Sequence, residues 1–142
     1  EAGTLYADPT EIHQLIMNLC TNAYQAMEEK GGLLLITLEP VIMNGNENAA
    51  NIQPPISEGA YVKLVVSDTG CGMDEDVIRH IFDPFFTTKE RGKGTGLGLA
   101  TVSRIVADLK GGVAVKSNPG EGAEFTLYLP RYDFKAKNPK KR

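Results

Sequence analysis

The chain has 142 residues, of which 42% are hydrophobic and 23% charged, and a net charge of −3. That is the size of one ordinary domain with a core of its own, and the composition excludes a disordered chain. No run approaches the roughly 20 apolar residues of a membrane helix. The opening Glu1-Ala2-Gly3-Thr4 has neither the basic region nor the apolar run of a signal peptide, and with no initiator Met the chain is expected to be a piece of a longer protein.

Residues 4–7 read as a short strand. Asp8-Pro9 then opens a helix, with Asp at the N-cap and Pro at the first helical position. Ile12, Leu15, Ile16, Leu19, Ala23, Ala26 and Met27 follow at three- and four-residue spacing as one apolar stripe, and Gly31-Gly32 ends it. Residues 33–42 are apolar and β-rich, a strand. Residues 44–58, with Asn, Gly and Pro54-Pro55, read as a connecting loop. Residues 61–67 alternate as a strand, and 74–81 form a short helix whose acidic start, Asp74 to Asp76, suits a solvated N-terminus. Residues 84–98 show no period and are dense in Gly, Thr and Lys. A second amphipathic helix covers 97–109, stopped by Gly111-Gly112, and 113–117 with 123–129 form a hairpin around Asn118-Pro119-Gly120.

Helices and strands do not alternate regularly. The simplest packing is α+β: a two-layer sandwich with helices on one face of a mixed, mostly antiparallel sheet, over residues 1–130. Residues 131–142 carry six basic side chains against Asp133, a net +5 beside −8 for the rest. The basic run from Lys135 to Arg142 is short and holds no aromatic residue, so this tail is read as a solvated linker, and no nucleic-acid partner is expected. Cys20 and Cys71 are fifty residues apart, make neither a C-x-x-C pair nor a metal spacing, and suit a reducing, cytoplasmic setting.

Four stretches could carry chemistry. Asn18 and Asn22 share one face of the first helix. Within an apolar stretch their amides need partners: either an oxygen ligates a hard cation such as magnesium, or, the plainer reading of the pair alone, both bond neighbouring backbone. Asp68-Thr69-Gly70-Cys71-Gly72-Met73 places a carboxylate at a strand end before two glycines that permit close approach. Asp68 could accept from an exocyclic amine such as adenine's, or the segment is a common turn. Gly92-Lys93-Gly94-Thr95-Gly96-Leu97-Gly98-Leu99 runs into a helix N-terminus, a physical anion site. It fits neither the Walker pattern nor the dinucleotide fingerprint, which leaves another phosphate loop or a flexible linker. Phe82-Asp83-Pro84-Phe85-Phe86-Thr87-Thr88-Lys89 suits a lid anchored by phenylalanines, or a loop tucked into the core.

In order and spacing, Asn18 to Ala23, Asp68 to Met73, Phe82 to Lys89 and Gly92 to Ala100 resemble the N box, first glycine box, F box and second glycine box of bacterial sensor histidine kinases, most like the nitrogen-regulator-type and hybrid kinases. Gly120-Glu121-Gly122 through Phe125 to Leu129-Pro130 resembles that family's last strand. The resemblance covers about residues 5–130 and implies a Bergerat-type fold, with ATP and magnesium as cofactors. By position it implies that Asn22 ligates magnesium, Asp68 binds adenine, Gly70 and Gly72 shape the adenine pocket, and residues 82–98 form the ATP lid. Phe82, Thr88, Gly94, Thr95, Gly96, Leu97 and Gly98 belong to that implied binding set. Asn18 and the lysines Lys89 and Lys93, either of which could reach the phosphates, are the implied catalytic positions.

The sequence departs from the pattern at three points. Hydrolytic relatives hold a water-activating glutamate where this chain has Asn18, which cannot act as a general base. No Lys stands shortly after Asn22, where Tyr24 and Gln25 are found, and Ala123 stands where a hydroxyl residue is common. A phospho-accepting helix is missing too: His13 and His80 read as ordinary surface or core histidines. The resemblance therefore implies transfer of the γ-phosphoryl group to a histidine on a dimerisation domain elsewhere in the parent, with a response-regulator receiver domain as partner. The fragment is expected to be monomeric and cytoplasmic, whether or not the parent is membrane-anchored. The rival readings are a non-catalytic nucleotide-binding module and a serine kinase of the anti-sigma-factor type.

Overall fold

A computed structural model describes residues 5–44, 51–86 and 98–132. Helix α1 (Pro9–Ala26) begins where Asp8 and Pro9 predict: Asp8 is extended, and its carboxylate accepts from the Thr10 N–H at 2.9 Å, satisfying one donor of the open first turn. Leu15, Leu19 and Ala23, at four-residue spacing, are buried. The strand expected just before α1 is not formed by Leu5, Tyr6 and Ala7. Tyr6 is exposed and sets its ring 5.4 Å from that of Tyr132 instead of entering a ladder.

Strands β1 (Leu34–Met43) and β2 (Gly59–Asp68) come next, then the short α2 (Glu75–His80), α3 (Gly98–Asp108), β3 (Gly112–Ser117) and β4 (Ala123–Pro130). The strands form one sheet in the order β1-β2-β4-β3, with every pairing antiparallel. Both long helices lie on one face of it. Their stripes, Leu15 and Leu19 from α1 and Val102, Ile105 and Val106 from α3, close over Leu64 and Val66 of β2 and Phe125, Leu127 and Leu129 of β4. The strict alternation of β4 buries each odd-numbered residue from Ala123 to Leu129, the pattern of a strand with one covered face. Arg104 of α3 reaches Glu11 of α1 at 3.4 Å; both are solvated, so this pair orients the helices more than it stabilises them.

The stretch expected to be a plain connecting loop does more than connect. Ile52 is buried and packs with Met43 and Tyr61 on the far face of the sheet, and Gln53 exchanges two 2.9 Å backbone hydrogen bonds with Val113. Strand β1, by contrast, lies at the sheet edge, and Leu35, Ile36 and Leu38 stay 59%, 46% and 56% exposed. This contrast sets an expected result. Ile105→Val should lower unfolding free energy by about 1 kcal/mol through lost burial, whereas Ile36→Val should change it by less than ~0.5 kcal/mol; denaturant titration of both variants measures the difference. Among the described residues no helix is long and apolar enough to cross a membrane.

Candidate nucleotide site

Of the sequence-predicted residues that the structure describes, Asp68, Gly70 and Gly72 lie at one end of the sheet, against the C-terminal end of α1. Asp68 closes β2, paired with Leu34 on one side and Ala123 on the other. It is the sole buried polar or charged residue among those described, at 5% exposure. A carboxylate is buried only where hydrogen bonds compensate its lost hydration. One is present: the Gly70 N–H donates to Oδ1 at 2.8 Å.

The turn after Asp68 is clasped from two sides. On the α1 side, Cys71 N–H donates to the Ala26 carbonyl at 3.1 Å, and Gly70 lies so close that a Cβ there would sit 2.5 Å from the same oxygen. Thr69 joins in, its hydroxyl oxygen accepting from Leu33 N–H at 3.0 Å. On the hairpin side, Gly120 N–H donates to the Cys71 carbonyl at 2.7 Å. Gly72 has φ of +73°, and a Cβ on it would collide with the Asn118 carbonyl oxygen. The two glycines are therefore required by close approach as well as by the turn. Gly72→Ala combines left-handed strain of about 1–3 kcal/mol with that collision, so its melting temperature should fall by several degrees; calorimetry checks it.

The amide pair lies on α1 beside this turn. Asn18 donates from Nδ2 to the carbonyl of Gly98, the first residue of α3, at 3.2 Å. The amide thus ties α1 to the point where the glycine-rich segment enters its helix. Asn22, one turn further along the same face and half-buried, makes no side-chain hydrogen bond among the described residues. No group of three His, Cys, Asp or Glu side chains gathers among them either. The fit for magnesium is therefore a single hard oxygen, that of Asn22, with phosphates and water to complete the shell, the arrangement this ion favours.

The aromatic segment divides its work. Phe82 packs edge-on against Phe125 at 6.4 Å, and Phe86 lies 5.7 Å from the His80 ring and against the main core. Phe85 is 73% exposed. Two of the three rings thus hold the base of this segment to the domain. Asp74 caps α2 by accepting from Val77 N–H at 2.9 Å, in line with the solvated helix start expected there. Both histidines are at the surface, His80 beside Asp83 at 3.0 Å. Thr88, Lys89, Lys93, Gly94, Thr95, Gly96 and Leu97 lie outside the described residues.

Sequence reasoning missed Ser117. Its hydroxyl accepts from Met73 N–H at 2.8 Å and donates to the Gly122 carbonyl at 2.6 Å. No motif marks it; the only local signal was a hydroxyl residue directly before the Asn118-Pro119-Gly120 turn.

A buried strand-end carboxylate, a glycine turn pinned against a helix end and an amide-bearing helix facing the start of a second helix define the class. The chain belongs to the histidine kinase-, DNA gyrase B- and HSP90-like ATPase family, whose profile matches residues 7–133. Its relatives include the sensor kinase CckA of Brucella abortus (strain 2308), 42% identical over 88% of this chain and 13% of that protein. Two from Escherichia coli (strain K12) are the sensor histidine kinase ZraS, 38% identical over 89% of this chain and 23% of that protein, and the signal transduction histidine-protein kinase AtoS, 37% identical over 92% and 18%. The chain therefore spans under a quarter of the length of these relatives.

Among solved structures, the catalytic domain of histidine kinase ThkA matches with a TM-score of 0.65 and 30% identity, covering 89% of this chain and 71% of that one. Full-length ShkA in complex with AMPPNP matches at 0.63 and 33%, covering 90% of this chain and 23% of that one. The open antiparallel sheet with its helices on one face is thus the fold of histidine kinase catalytic domains.

Proposed function

We propose that this chain binds Mg-ATP and delivers its γ-phosphoryl group to a histidine on a dimerisation domain of the longer parent, in two-component signalling with a response-regulator receiver domain. The observation that carries the proposal is Asp68: a buried carboxylate with one oxygen held by Gly70 N–H and the other left to accept from the adenine amine. Gly70 and Gly72, in the turn that follows Asp68, would wall the base. The AMPPNP bound to full-length ShkA supports a nucleotide of this chemistry.

Asn22 would hold the magnesium, which when bound neutralises charge on the phosphates. Gly94, Thr95, Gly96, Leu97 and Gly98 would line the phosphates at the N-terminus of α3, where N–H groups and the helix dipole favour anions. Phe82 would anchor the lid segment to which Thr88, Lys89 and Lys93 belong in sequence. Phosphoryl transfer of this kind is mainly positioning and charge stabilisation. Asn18 cannot activate water, and its amide is engaged with Gly98; the chain is therefore a poor hydrolase that holds ATP for another acceptor. The localisation proposed for this domain is cytoplasmic, with the parent free to carry a membrane anchor.

Mixing the chain with the parent's dimerisation domain and radiolabelled ATP tests the acceptor. The label should appear on that domain in an acid-labile, base-stable form. An acid-stable label would instead indicate a serine acceptor.

A further inference from the structure

We propose that Ser117 is a positioning residue for nucleobase recognition, the pin that holds the adenine-reading turn in register. The inference rests on the nucleotide reading of Asp68 and deepens it. Ser117, Ala123 and Asp68 stand directly opposite one another on adjacent strands, Ser117 pairing with Ala123 and Ala123 with Asp68, so all three project from one face of the sheet. Within this row the middle position offers only a methyl group. The hydroxyl on the row is one strand further out, on Ser117.

That hydroxyl both accepts and donates. It accepts from Met73 N–H, which ends the glycine turn, and donates to the carbonyl of Gly122, which directly precedes β4. Gly122 in turn approaches Asp68 so closely that a Cβ would collide with the Asp68 carbonyl oxygen. One side chain therefore joins the two segments that flank Asp68, the turn after it and the hairpin against it. Since Gly70 N–H aims one carboxylate oxygen, anything that lets the 70–73 turn drift re-aims Asp68. Ser117 has no need to touch the base. It fixes the direction from which Asp68 accepts, and with it the preference for an amine at that edge of the purine over a carbonyl.

The test titrates the wild-type chain, S117A and S117T with ATP, GTP and inorganic triphosphate, and records a thermal melt of each. The expected result is about a tenfold loss of ATP affinity in S117A, the weight of one hydrogen-bonded clasp. The ATP-over-GTP ratio should narrow, triphosphate affinity should stay unchanged, and S117T should restore both values. Wild-type binding of ATP with S117A equal to it in affinity and base preference would overturn the inference alone, as would a uniform loss for all three ligands. Failure of the folded wild-type chain to prefer ATP would overturn the nucleotide reading itself. Should S117A not fold, S117C, which keeps the volume and weakens the hydrogen bonds, carries the same comparison.

Discussion

Asp68→Asn is expected to lower ATP affinity by about 100-fold with little change in stability. The substitution keeps shape and volume, and an amide oxygen can still accept from Gly70 N–H, so the turn retains its local hydrogen bond. What changes is the other position, where an acceptor becomes an NH2 donor facing the donor amine of adenine. A hydrogen bond to a charged group contributes about 1.5–3 kcal/mol, a factor of roughly 10 to 150 in affinity, and donor-to-donor opposition places the effect toward the upper end. Calorimetric titration beside a thermal melt measures both quantities. Affinity within threefold of wild type in a folded variant would remove Asp68 from the site.

Asn22→Ala should abolish the magnesium dependence of nucleotide binding and slow transfer to the dimerisation domain by about 100- to 1000-fold, the scale for losing one electrostatic stabiliser of a developing charge. Asn22 is half-buried on the face of α1 that Asn18 ties to the start of α3. Removing its amide takes away a hard oxygen ligand without opening the main core, which rests on Leu15, Leu19 and Ala23. Asn22→Asp keeps an oxygen and should retain part of the activity. The measurement is single-turnover phosphotransfer across a magnesium series, and an alanine variant with wild-type magnesium response would exclude this residue as the ligand.

Much of this site was legible because its parts are local. The Asp8-Pro9 start and the stripe through Leu15, Leu19 and Ala23 define α1 from its own residues, and α1 sets Asn18 and Asn22 on one face. The hairpin of β3 and β4 followed from Asn118-Pro119-Gly120 and the alternation into Leu129. What escaped depends on contacts far apart in sequence. Ile52, in a loop rich in Pro and Asn, is buried only because Met43 and Tyr61 meet it on the far face. The apolar β1 is exposed because it falls at the sheet edge, where the helices cover little of it. Tyr6 pairs with Tyr132, 126 positions away, in place of a ladder. The Ser117 bond to Met73 spans 44 residues and carries no spacing signal at all.

In the proposed function, the Asp68 turn and the Asn22 face of α1 together form a nucleotide site. Titrating the chain with AMPPNP, with and without magnesium, tests it most directly. The expected result is one nucleotide per chain, bound more tightly when magnesium is present. A folded chain that binds no AMPPNP in either condition would contradict it.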